Sequence, residues 1–284
     1  LCFPPIRRRG HCHRPRLHAQ QLHTDQSLHV CREAAPLRCH VMGTPGSHFG
    51  SRHLRIHKGK NMHRIIEHTE DGSATLFVPE LNEHYHSVKG ARTESQHIFI
   101  EMGLQASTAS APRILEVGFG TGLNALLTLQ EAEHSLRNVH YTGIELYPLT
   151  WSEVAALHYT DDPRLQLLHE TIWEKEVQLS PHFTLLKLQR DLAIWKAENE
   201  TPSFHCDIIY FDAFAPEKQP ALWTREIFEN LYRCLAPGGL LTTYCAKGII
   251  RRMMQDIGFR MERLPGPPGG KREILRATKP NDTP

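Results

Sequence analysis

From residue 113 onward the sequence alternates short apolar runs with helical stretches, and this alternation limits the possible folds more than any other feature. The strand candidates are residues 113–117, 139–145, 183–188, 206–211, 239–245 and 272–277. The helical stretches are residues 122–134, 150–158, 188–198, 222–235 and 247–257. This is the βαβ pattern of a parallel sheet, and continuous apolar strands indicate that helices cover both faces. We therefore predict an α/β fold with a doubly wound, Rossmann-like sheet.

The chain before this region divides into two parts of different composition. Residues 1–61 carry 11 Lys/Arg against 2 Asp/Glu, whereas residues 62–284 carry 22 against 29. The first part has no sustained apolar period, so we predict a disordered or non-native extension. Residues 62–111 are predicted to form a small β-rich entry segment, with a strand near 74–78 and a helix near 93–102. The main domain is predicted at residues 112–280.

Residues 1–61 hold nine of the 20 histidines and four of the seven cysteines. No CxxC pair occurs among them and their spacing does not give the usual two-plus-two set of zinc ligands, so we predict no metal site. Organellar targeting, an expression artefact or upstream read-through remain open for this segment, and Met62 is a plausible natural start. No apolar run approaches the about 18 residues of a membrane span. The other cysteines, Cys206, Cys234 and Cys245, read as reduced thiols, which favours a cytoplasmic protein.

The strand candidate at 113–117 ends in three glycines at every second position, Gly118, Gly120 and Gly122. Glycines permit a tight turn and let a ligand lie against the main chain. The spacing is GxGxG and not the GxGxxG that presents a helix N-terminus to a pyrophosphate. Glu116, just before the loop, suits a cofactor with sulfonium and ammonium charges. The pattern favours S-adenosylmethionine, with a plain glycine turn as the alternative.

Two further acids follow strand candidates. Glu145 closes the second strand 27 positions after Gly118, where a carboxylate can accept both ribose hydroxyls. Asp191 follows the third strand, where it can accept the adenine amino group. The alternatives are a solvated acid for Glu145 and a helix N-cap for Asp191.

The fourth strand, residues 206–211, delivers Asp212 to the carboxyl edge of the sheet, where open α/β folds bind ligands. A carboxylate there can orient an amine and help to remove its proton, which methyl transfer to nitrogen requires. We predict Asp212 as the catalytic residue, more as an orienter than as a strong base. Phe214 and Trp223 can stack an extruded base or, alternatively, pack in the core.

The end of the chain is basic, because residues 247–279 hold nine Lys/Arg against three acids. Such a surplus in an otherwise acidic domain can dock a phosphate backbone. The predicted RNA contacts are Arg251 and Arg252 at the start of a helix and Lys271 and Arg272 in a Gly/Pro-rich loop. A solvated charged face is the alternative.

In these motifs the chain resembles a known family, the methyltransferase part of bacterial tRNA 5-methylaminomethyl-2-thiouridine biosynthesis proteins (MnmC) and their stand-alone relatives (MnmD). The resemblance covers about residues 74–278. The motifs that carry it are Tyr85-His86-Ser87, Gly90-Ala91, Glu94-Ser95, Glu116-Val117-Gly118-Phe119-Gly120-Thr121-Gly122-Leu123-Asn124, Asp212-Ala213-Phe214-Ala215-Pro216, Pro220, Trp223, Ala236-Pro237-Gly238-Gly239, Gly248, Arg251-Arg252 and Gly270-Lys271-Arg272-Glu273. Cys245 departs from the family, which has a small polar residue there, and residues 1–61 have no counterpart.

The resemblance implies a class I methyltransferase fold and transfer of a methyl group from S-adenosylmethionine to 5-aminomethyl(-2-thio)uridine at the tRNA wobble position. It places the cofactor on Gly118, Gly120, Glu145 and Asp191, and the catalytic acid on Asp212. The implied partner is the anticodon region of tRNA. Fused members continue into a flavin-dependent oxidase domain, which we do not expect here because the sequence stops at Pro284.

Other functions remain open from the residues alone. A spermidine-synthase-like aminopropyltransferase shares the fold and the amine-handling carboxylate, although the basic end of the chain argues against a polycationic substrate. Another small-amine N-methyltransferase is also possible. A nicotinamide dehydrogenase is disfavoured by the GxGxG spacing, and an RNA-binding module without catalysis is disfavoured by Glu145 and Asp212. The sequence does not determine the oligomeric state.

Overall fold

The computed structural model describes residues 63–68, 74–85, 90–200 and 204–281. The predicted extension at residues 1–61, with its four cysteines, lies outside the described residues. So do His86 and Ser87 of one family motif.

A small sheet and a large sheet account for the strands of this part of the chain. The small antiparallel sheet has the order β1-β2-β3, and the large sheet has the order β10-β11-β9-β8-β4-β5-β7-β6. The strands are β1 Ile65–His68, β2 Ala74–Val78, β3 Glu83–His84, β4 Arg113–Val117, β5 Val139–Glu145, β6 Val177–Ser180, β7 Phe183–Gln189, β8 Cys206–Phe211, β9 Leu235–Thr243, β10 Arg260–Pro265 and β11 Glu273–Thr278. The small sheet agrees with the β-rich character predicted for the entry segment.

Six α-helices lie among these strands in the described ranges. They are α1 Ala91–Ser95, α2 Leu123–Ser135, α3 Trp151–Ala155, α4 Arg164–Glu170, α5 Arg225–Cys234 and α6 Gly248–Ile257. Helix α1 continues as a π-helical segment at Gln96–Leu104, and short 3₁₀ turns lie at Ala197–Asn199 and Pro220–Leu222. The predicted helix near 93–102 is therefore present, with a wider helical turn over most of its length.

The centre of the large sheet is parallel, since β4 pairs with β5 and β8, β5 with β7, and β8 with β9. The chain leaves β4 toward β5 and β7 and then returns to the other side of β4 with β8. This reversal creates a crevice at the carboxyl edge beside β4, which is where open α/β sheets bind ligands. The strands at the two edges, β6, β10 and β11, are antiparallel. The Rossmann-like prediction is confirmed.

Alternate residues of the central strands pack into two cores on opposite faces. On β8, Ile208 and Tyr210 join the core beneath α2, whereas Ile209 and Phe211 join the core beneath α5 and α6. All four side chains are fully buried. Both faces of the strand are therefore apolar, which is why its sequence shows no polar alternation.

The helix predicted at 188–198 is wrong. Strand β7 runs to Gln189, and a turn follows in which the main-chain carbonyl of Asp191 accepts from the N–H groups of Ile194 and Trp195. The carboxylate of Asp191 takes the N–H of Ala193 at 2.9 Å. This local capture of donors competes with helix formation.

No helix in the described ranges is long and apolar enough to cross a membrane. Within the same ranges, no group of three or more His, Cys, Asp or Glu side chains has an arrangement that can hold a metal ion. Cys206, Cys234 and Cys245 are buried and free.

Candidate active site

The loop after β4 has three glycines whose main chain adopts left-handed conformations. The φ angles of Gly118, Gly120 and Gly122 are +88°, +48° and +72°. Residues with a Cβ rarely adopt such angles, so the glycine spacing is required by the shape of the loop. The N–H of Gly118 donates to the carbonyl of Ile144 at 3.0 Å. This bond ties the loop to the end of β5.

Gly118 also permits the close approach of β4 and β8. A Cβ at this position would lie 2.6 Å from the main-chain oxygen of Asp212, closer than any real Cβ contact. The N–H of Asp212 donates to the carbonyl of Val117 at 3.0 Å. The absence of a side chain at Gly118 therefore places Asp212 directly beside the glycine loop.

These strand ends surround a cavity of about 710 Å³ at the carboxyl edge of the sheet. Its size lies within the range of roughly 300–1,000 Å³ that is typical of small-molecule sites. The predicted site residues that line it are Gly118, Gly120, Glu145, Asp191, Asp212, Phe214 and Lys271. One cavity thus brings together the residues predicted for the cofactor, the catalytic step and part of the substrate site.

Glu145 is held at the end of β5 by two main-chain donors. Its carboxylate accepts from the N–H of Gly120 at 3.0 Å and from the N–H of Tyr147 at 2.9 Å. The side chain is partly buried and lines the cavity. A carboxylate oriented in this way keeps lone pairs for further donors, as the predicted ribose contact requires.

Asp191 lines the same cavity from the turn after β7. One carboxylate oxygen, Oδ1, caps this turn through Ala193. The capping role that was the alternative for Asp191 is therefore present. It uses one oxygen and leaves acceptor capacity for the predicted adenine contact.

Asp212 lines the cavity, and its Oδ2 accepts from Nδ2 of Asn124 at 2.8 Å. Burial raises the pKa of Asp212 to about 7, the nearby Glu94 adds to this effect, and Asn124 and Lys271 oppose it. With an ordinary aspartate pKa, Asp212 would act mainly as an orienter, as the sequence predicts. In its actual surroundings the group is a considerably stronger base.

Asn124 is a residue that the sequence reasoning did not select. It lines the cavity, is 2% exposed, and donates from Nδ2 to Glu116 at 2.9 Å as well as to Asp212. Its place in the run Gly122-Leu123-Asn124, at the start of α2, was the signal that could have found it. Helix α2 begins directly after the glycine loop, so a side chain in its first turn lies at the edge of the cavity.

Glu116 and Gly122 were predicted to contact the cofactor, but neither lines the cavity. Glu116 is fully buried beneath the loop, because β4 lies in the centre of the sheet. Burial raises the pKa of Glu116 well above its ordinary value. Gly122 faces His169, whose Nε2 would lie 2.8 Å from an added Cβ. The structure therefore gives both residues supporting positions and not direct contacts with a ligand.

The aromatic residues of the site divide into cavity wall and core. Phe214 lines the cavity with Tyr85 and Tyr244, and its ring meets the edge of Tyr85 at a centroid distance of 5.2 Å. Trp223 lies outside the lining and packs against Phe211 at 4.8 Å. Its indole N–H donates to the carbonyl of Phe214 at 2.7 Å. The predicted base-stacking role of Trp223 thus gives way to core packing that also fixes the Phe214 loop.

The basic residues predicted for RNA binding are also divided. Lys271 turns into the cavity, forms an ion pair with Glu94, and lies over the ring of Tyr244 at 4.2 Å. Arg251, Arg252 and Arg272 lie outside the cavity. The two arginines on α6 occupy its first turns, just after the carboxyl end of β9. They therefore lie on the same edge of the sheet as the cavity.

Known proteins resemble this chain in sequence and in structure. Residues 144–280 match a family of S-adenosyl-L-methionine-dependent methyltransferases. The tRNA 5-methylaminomethyl-2-thiouridine biosynthesis bifunctional protein MnmC of Pseudomonas fluorescens is 34% identical over 210 residues, which are 68% of this chain and 31% of that protein. The protein of the same name from Cupriavidus necator is 31% identical over 215 residues, 71% of this chain and 32% of that protein. The chain therefore spans about a third of the length of these relatives.

A solved structure, MNMC2 from Aquifex aeolicus, superposes with a TM-score of 0.65 at 25% identity, over 79% of this chain and 72% of that one. Fold, glycine loop and matched residues together define the class, an S-adenosyl-L-methionine-dependent methyltransferase with a Rossmann-like sheet. Within this class, the chain belongs to the family of the methyltransferase part of the MnmC proteins. The family predicted from the motifs is confirmed.

The residues around the cavity fit this cofactor. Gly120 presents bare main chain to the cavity, and a Cβ there would lie 3.2 Å from the ring of Tyr85 and narrow the space. Glu145 offers the acceptors that ribose hydroxyls need, on a strand end next to the loop. When bound, S-adenosyl-L-methionine supplies the methyl group and leaves as a neutral thioether.

Proposed function

We propose that the protein methylates the primary amine of 5-aminomethyl(-2-thio)uridine at the wobble position of tRNA, giving 5-methylaminomethyl(-2-thio)uridine. The observation that carries this proposal is the position of Asp212. It lies against the glycine loop, lines the cavity, and has its pKa raised to about 7. The names of the relatives from Pseudomonas and Cupriavidus support the substrate class.

The chemistry requires an amine that has lost its extra proton. An alkyl amine has a pKa near that of lysine, about 10.4, and is protonated at neutral pH. Asp212 accepts an N–H hydrogen bond, aims the nitrogen lone pair at the methyl carbon, and takes the proton. The nitrogen–carbon bond forms as the carbon–sulfur bond breaks, and the proton passes from Asp212 to solvent. A pKa of about 7 makes this transfer much less uphill than for an ordinary aspartate.

An extruded base has an aromatic wall available. Tyr85, Phe214 and Tyr244 line the cavity on the side of Asp212, and such rings stack flipped or single-stranded bases. Arg251 and Arg252 supply positive charge near the cavity edge, where a phosphate backbone would pass. With tRNA as the partner, a cytoplasmic location is part of the proposal.

The decisive experiment incubates the protein and labelled S-adenosyl-L-methionine with tRNA from a strain that lacks this modification. Nucleosides are then separated and weighed by mass spectrometry. The proposal expects one added methyl group on 5-aminomethyluridine or its 2-thio form, and none on tRNA that already carries the methylated base. Label on any other nucleoside, or none at all, would contradict it.

One observation keeps an aminopropyltransferase as a second candidate. Glu94 lines the cavity with Asp212, and two carboxylates can hold a diamine. Lys271 neutralises Glu94, however, which weakens this reading. Incubation with a diamine and decarboxylated S-adenosylmethionine separates the two functions, since only an aminopropyltransferase would extend the diamine.

A further inference from the structure

Asp212 shares its hydrogen-bond donor with a second carboxyl group that is sealed inside the protein. Nδ2 of Asn124 lies 2.8 Å from Oδ2 of Asp212 and 2.9 Å from Oε1 of Glu116. Glu116 is 0% exposed, and Asn124 is 2% exposed. One amide nitrogen therefore bridges a carboxyl group on the cavity surface and a carboxyl group in the core.

This arrangement uses the full donor capacity of the asparagine. A side-chain amide has two N–H bonds, and each points to one of the two carboxyl oxygens. Both partners are acceptors at these atoms, so the orientation of the amide group is determined. The main-chain carbonyl of Asn124 also accepts from the hydroxyl of Thr128 at 2.7 Å, which further restrains this turn of α2.

In the part of the chain that the structure describes, Glu116 has no cationic partner to stabilise a buried carboxylate. Among the described residues, no Lys, Arg or His side chain forms an ion pair or hydrogen bond with it. The groups facing it are Tyr141 on β5, Tyr210 on β8, Asn124, and the acids Asp212 and Glu145. Transfer of an unpaired ionised carboxylate into such a place is very costly, and the group keeps its proton instead.

We propose that Glu116 is a neutral carboxylic acid that fixes the amide of Asn124, so that Asn124 can orient Asp212 for proton abstraction. Glu116 and Asn124 are positioning residues, and Asp212 is the catalytic residue. The inference rests on the proposed function where it concerns turnover. It replaces the expectation that Glu116 is an ionised group that attracts the charges of the cofactor.

The electrostatics of the cluster agree with this assignment. Burial and the repulsion from Asp212 raise the pKa of Glu116 well above its ordinary value, against the nearby Tyr141 hydroxyl and the hydrogen bond from Asn124. Asp212 titrates near 7 among Glu94, Lys271 and Asn124. At neutral pH the pair of carboxyl groups therefore carries at most one negative charge, and that charge lies on the cavity side.

The first test compares Glu116→Gln with Glu116→Leu and Asn124→Ala. Glutamine keeps an acceptor oxygen for Asn124 and cannot ionise, so we expect the pH midpoint of kcat and the cofactor affinity to stay within about twofold of the wild type. Glu116→Leu frees the amide of Asn124, and Asn124→Ala removes it, so both variants weaken or lose the hydrogen bond to Asp212. Both should therefore move the pH midpoint of kcat to a higher pH. A pH midpoint that Glu116→Leu shifts and Glu116→Gln preserves would indicate a positioning role.

The opposite assignment predicts a different pattern. An ionised Glu116 would raise the pKa of Asp212 by repulsion, so Glu116→Gln would then move the midpoint to lower pH. It would also attract the cofactor, so the variant would bind S-adenosyl-L-methionine about tenfold or more weakly in calorimetry. Either result overturns the inference.

The second test needs no ligand and no activity. In the unfolded chain Glu116 releases its proton above its ordinary pKa of 4.5, whereas we expect native Glu116 to keep it. This difference should make the wild type less stable as pH rises, and Glu116→Gln should lack this loss. The difference in melting temperature between Glu116→Gln and the wild type should therefore increase, in favour of the variant, from about pH 5 to about pH 8. A constant difference would contradict a neutral Glu116. The exposed Glu176→Gln is the matched control, with a constant difference expected.

The proposed function and the proposed role of Glu116 can fail separately. A wild-type protein that leaves the tRNA unmodified contradicts the proposed function, while the ligand-free melting series still decides the protonation of Glu116. A wild type that methylates the tRNA, with a shifted Glu116→Gln midpoint, contradicts only the inference.

Discussion

At the scale of single residues, the site shows how surroundings change the chemistry of a common side chain. Glu116 and Asp212 are both acids at strand ends of one sheet, and one asparagine amide touches both. Glu116 is enclosed by the core, whereas Asp212 lines the cavity near Glu94 and Lys271. Burial depth therefore separates the acid that we propose to be neutral from the one that we propose as the catalytic base.

Replacement of Asp212 by Asn should remove methyl transfer. The amide cannot accept the proton, and its donor group would face the Asn124 amide, so we expect kcat to fall by about 10²-fold or more. Calorimetry should give a nearly unchanged affinity for S-adenosyl-L-methionine. Normal turnover would mean that Asp212 is not the catalytic residue. Melting curves serve as the control for folding.

The pH dependence of the wild type follows from the same carboxyl group. Only ionised Asp212 can take a proton, so kcat should rise with pH to a plateau with a midpoint near pH 7. The raised native pKa also means that the stability contribution of Asp212 is complete below its ordinary value of 3.8 and is lost as pH rises through about 7. Asp212→Asn should therefore melt higher than the wild type at alkaline pH. A flat kcat profile between pH 5 and pH 8 would contradict the base role.

Glu145→Ala should weaken the cofactor without a direct effect on the chemical step. Loss of a charged acceptor and of its bonds to Gly120 and Tyr147 should raise the dissociation constant of S-adenosyl-L-methionine about 10- to 100-fold. Calorimetry measures this change. Glu176→Ala removes an exposed carboxylate elsewhere and should leave the affinity unchanged. Equal affinities for Glu145→Ala and the wild type would remove the ribose role.

At the scale of elements, the crossing of the β4 loop and the β8 loop makes the site. The approach of Gly118 to the main chain of Asp212 joins two segments that lie far apart in the sequence. Trp223 then holds the following loop from below through the carbonyl of Phe214. The loop that carries Asp212 is therefore fixed on one side by β4 and on the other by the core beneath α5.

Alanine substitutions at Gly118 and Gly269 distinguish the cost of main-chain strain from the cost of a steric clash. Both have positive φ angles, +88° and +71°, but an added Cβ meets Asp212 at Gly118 and nothing within 4 Å at Gly269. Gly269→Ala should therefore cost about 1 kcal/mol, the strain alone. Gly118→Ala should cost clearly more and should also abolish turnover, because Asp212 must move. Thermal melts and assays of both variants test this, and similar losses would contradict the contact.

At the scale of the whole molecule, the candidate site lies at one edge of the large sheet, the carboxyl edge. The carboxyl edge carries the cavity and the first turns of α6 with Arg251 and Arg252. Arg233 lies at the other edge, where α5 ends just before β9 begins. On the proposed function, substrate RNA would approach the carboxyl edge, where the cavity lies.

Charge reversal of Arg251 and Arg252 to Glu should raise the KM for tRNA with little change in kcat. The effect should shrink as salt rises, because each lost phosphate contact lowers the salt dependence of binding. Arg233→Glu, on the opposite edge, should leave the KM unchanged. An effect that does not depend on salt would indicate damage to folding.

Much of the fold could be predicted because the central strands are continuous apolar runs. The predicted bounds of β4, β5 and β8 agree with the structure. The edge strand β10 was missed because it alternates with Arg260, Glu262 and other polar residues, which is typical of a strand open to solvent on one side. The helix predicted after β7 is replaced by a turn because Asp191 captures main-chain donors locally, a contact that helical periodicity does not show.

The sequence alone determined which residues could form the site. The informative features are local in the sequence: glycines at alternate positions, acids at the ends of strands, and continuous apolar runs. They can be recognised without knowledge of the tertiary structure. The tertiary structure decided how these residues act. Burial set the proton affinities of Glu116 and Asp212, placed Trp223 in the core, and turned Lys271 toward Glu94. Desolvation and charge pairing depend on neighbours distant in sequence, so they exist only once the sheet is assembled.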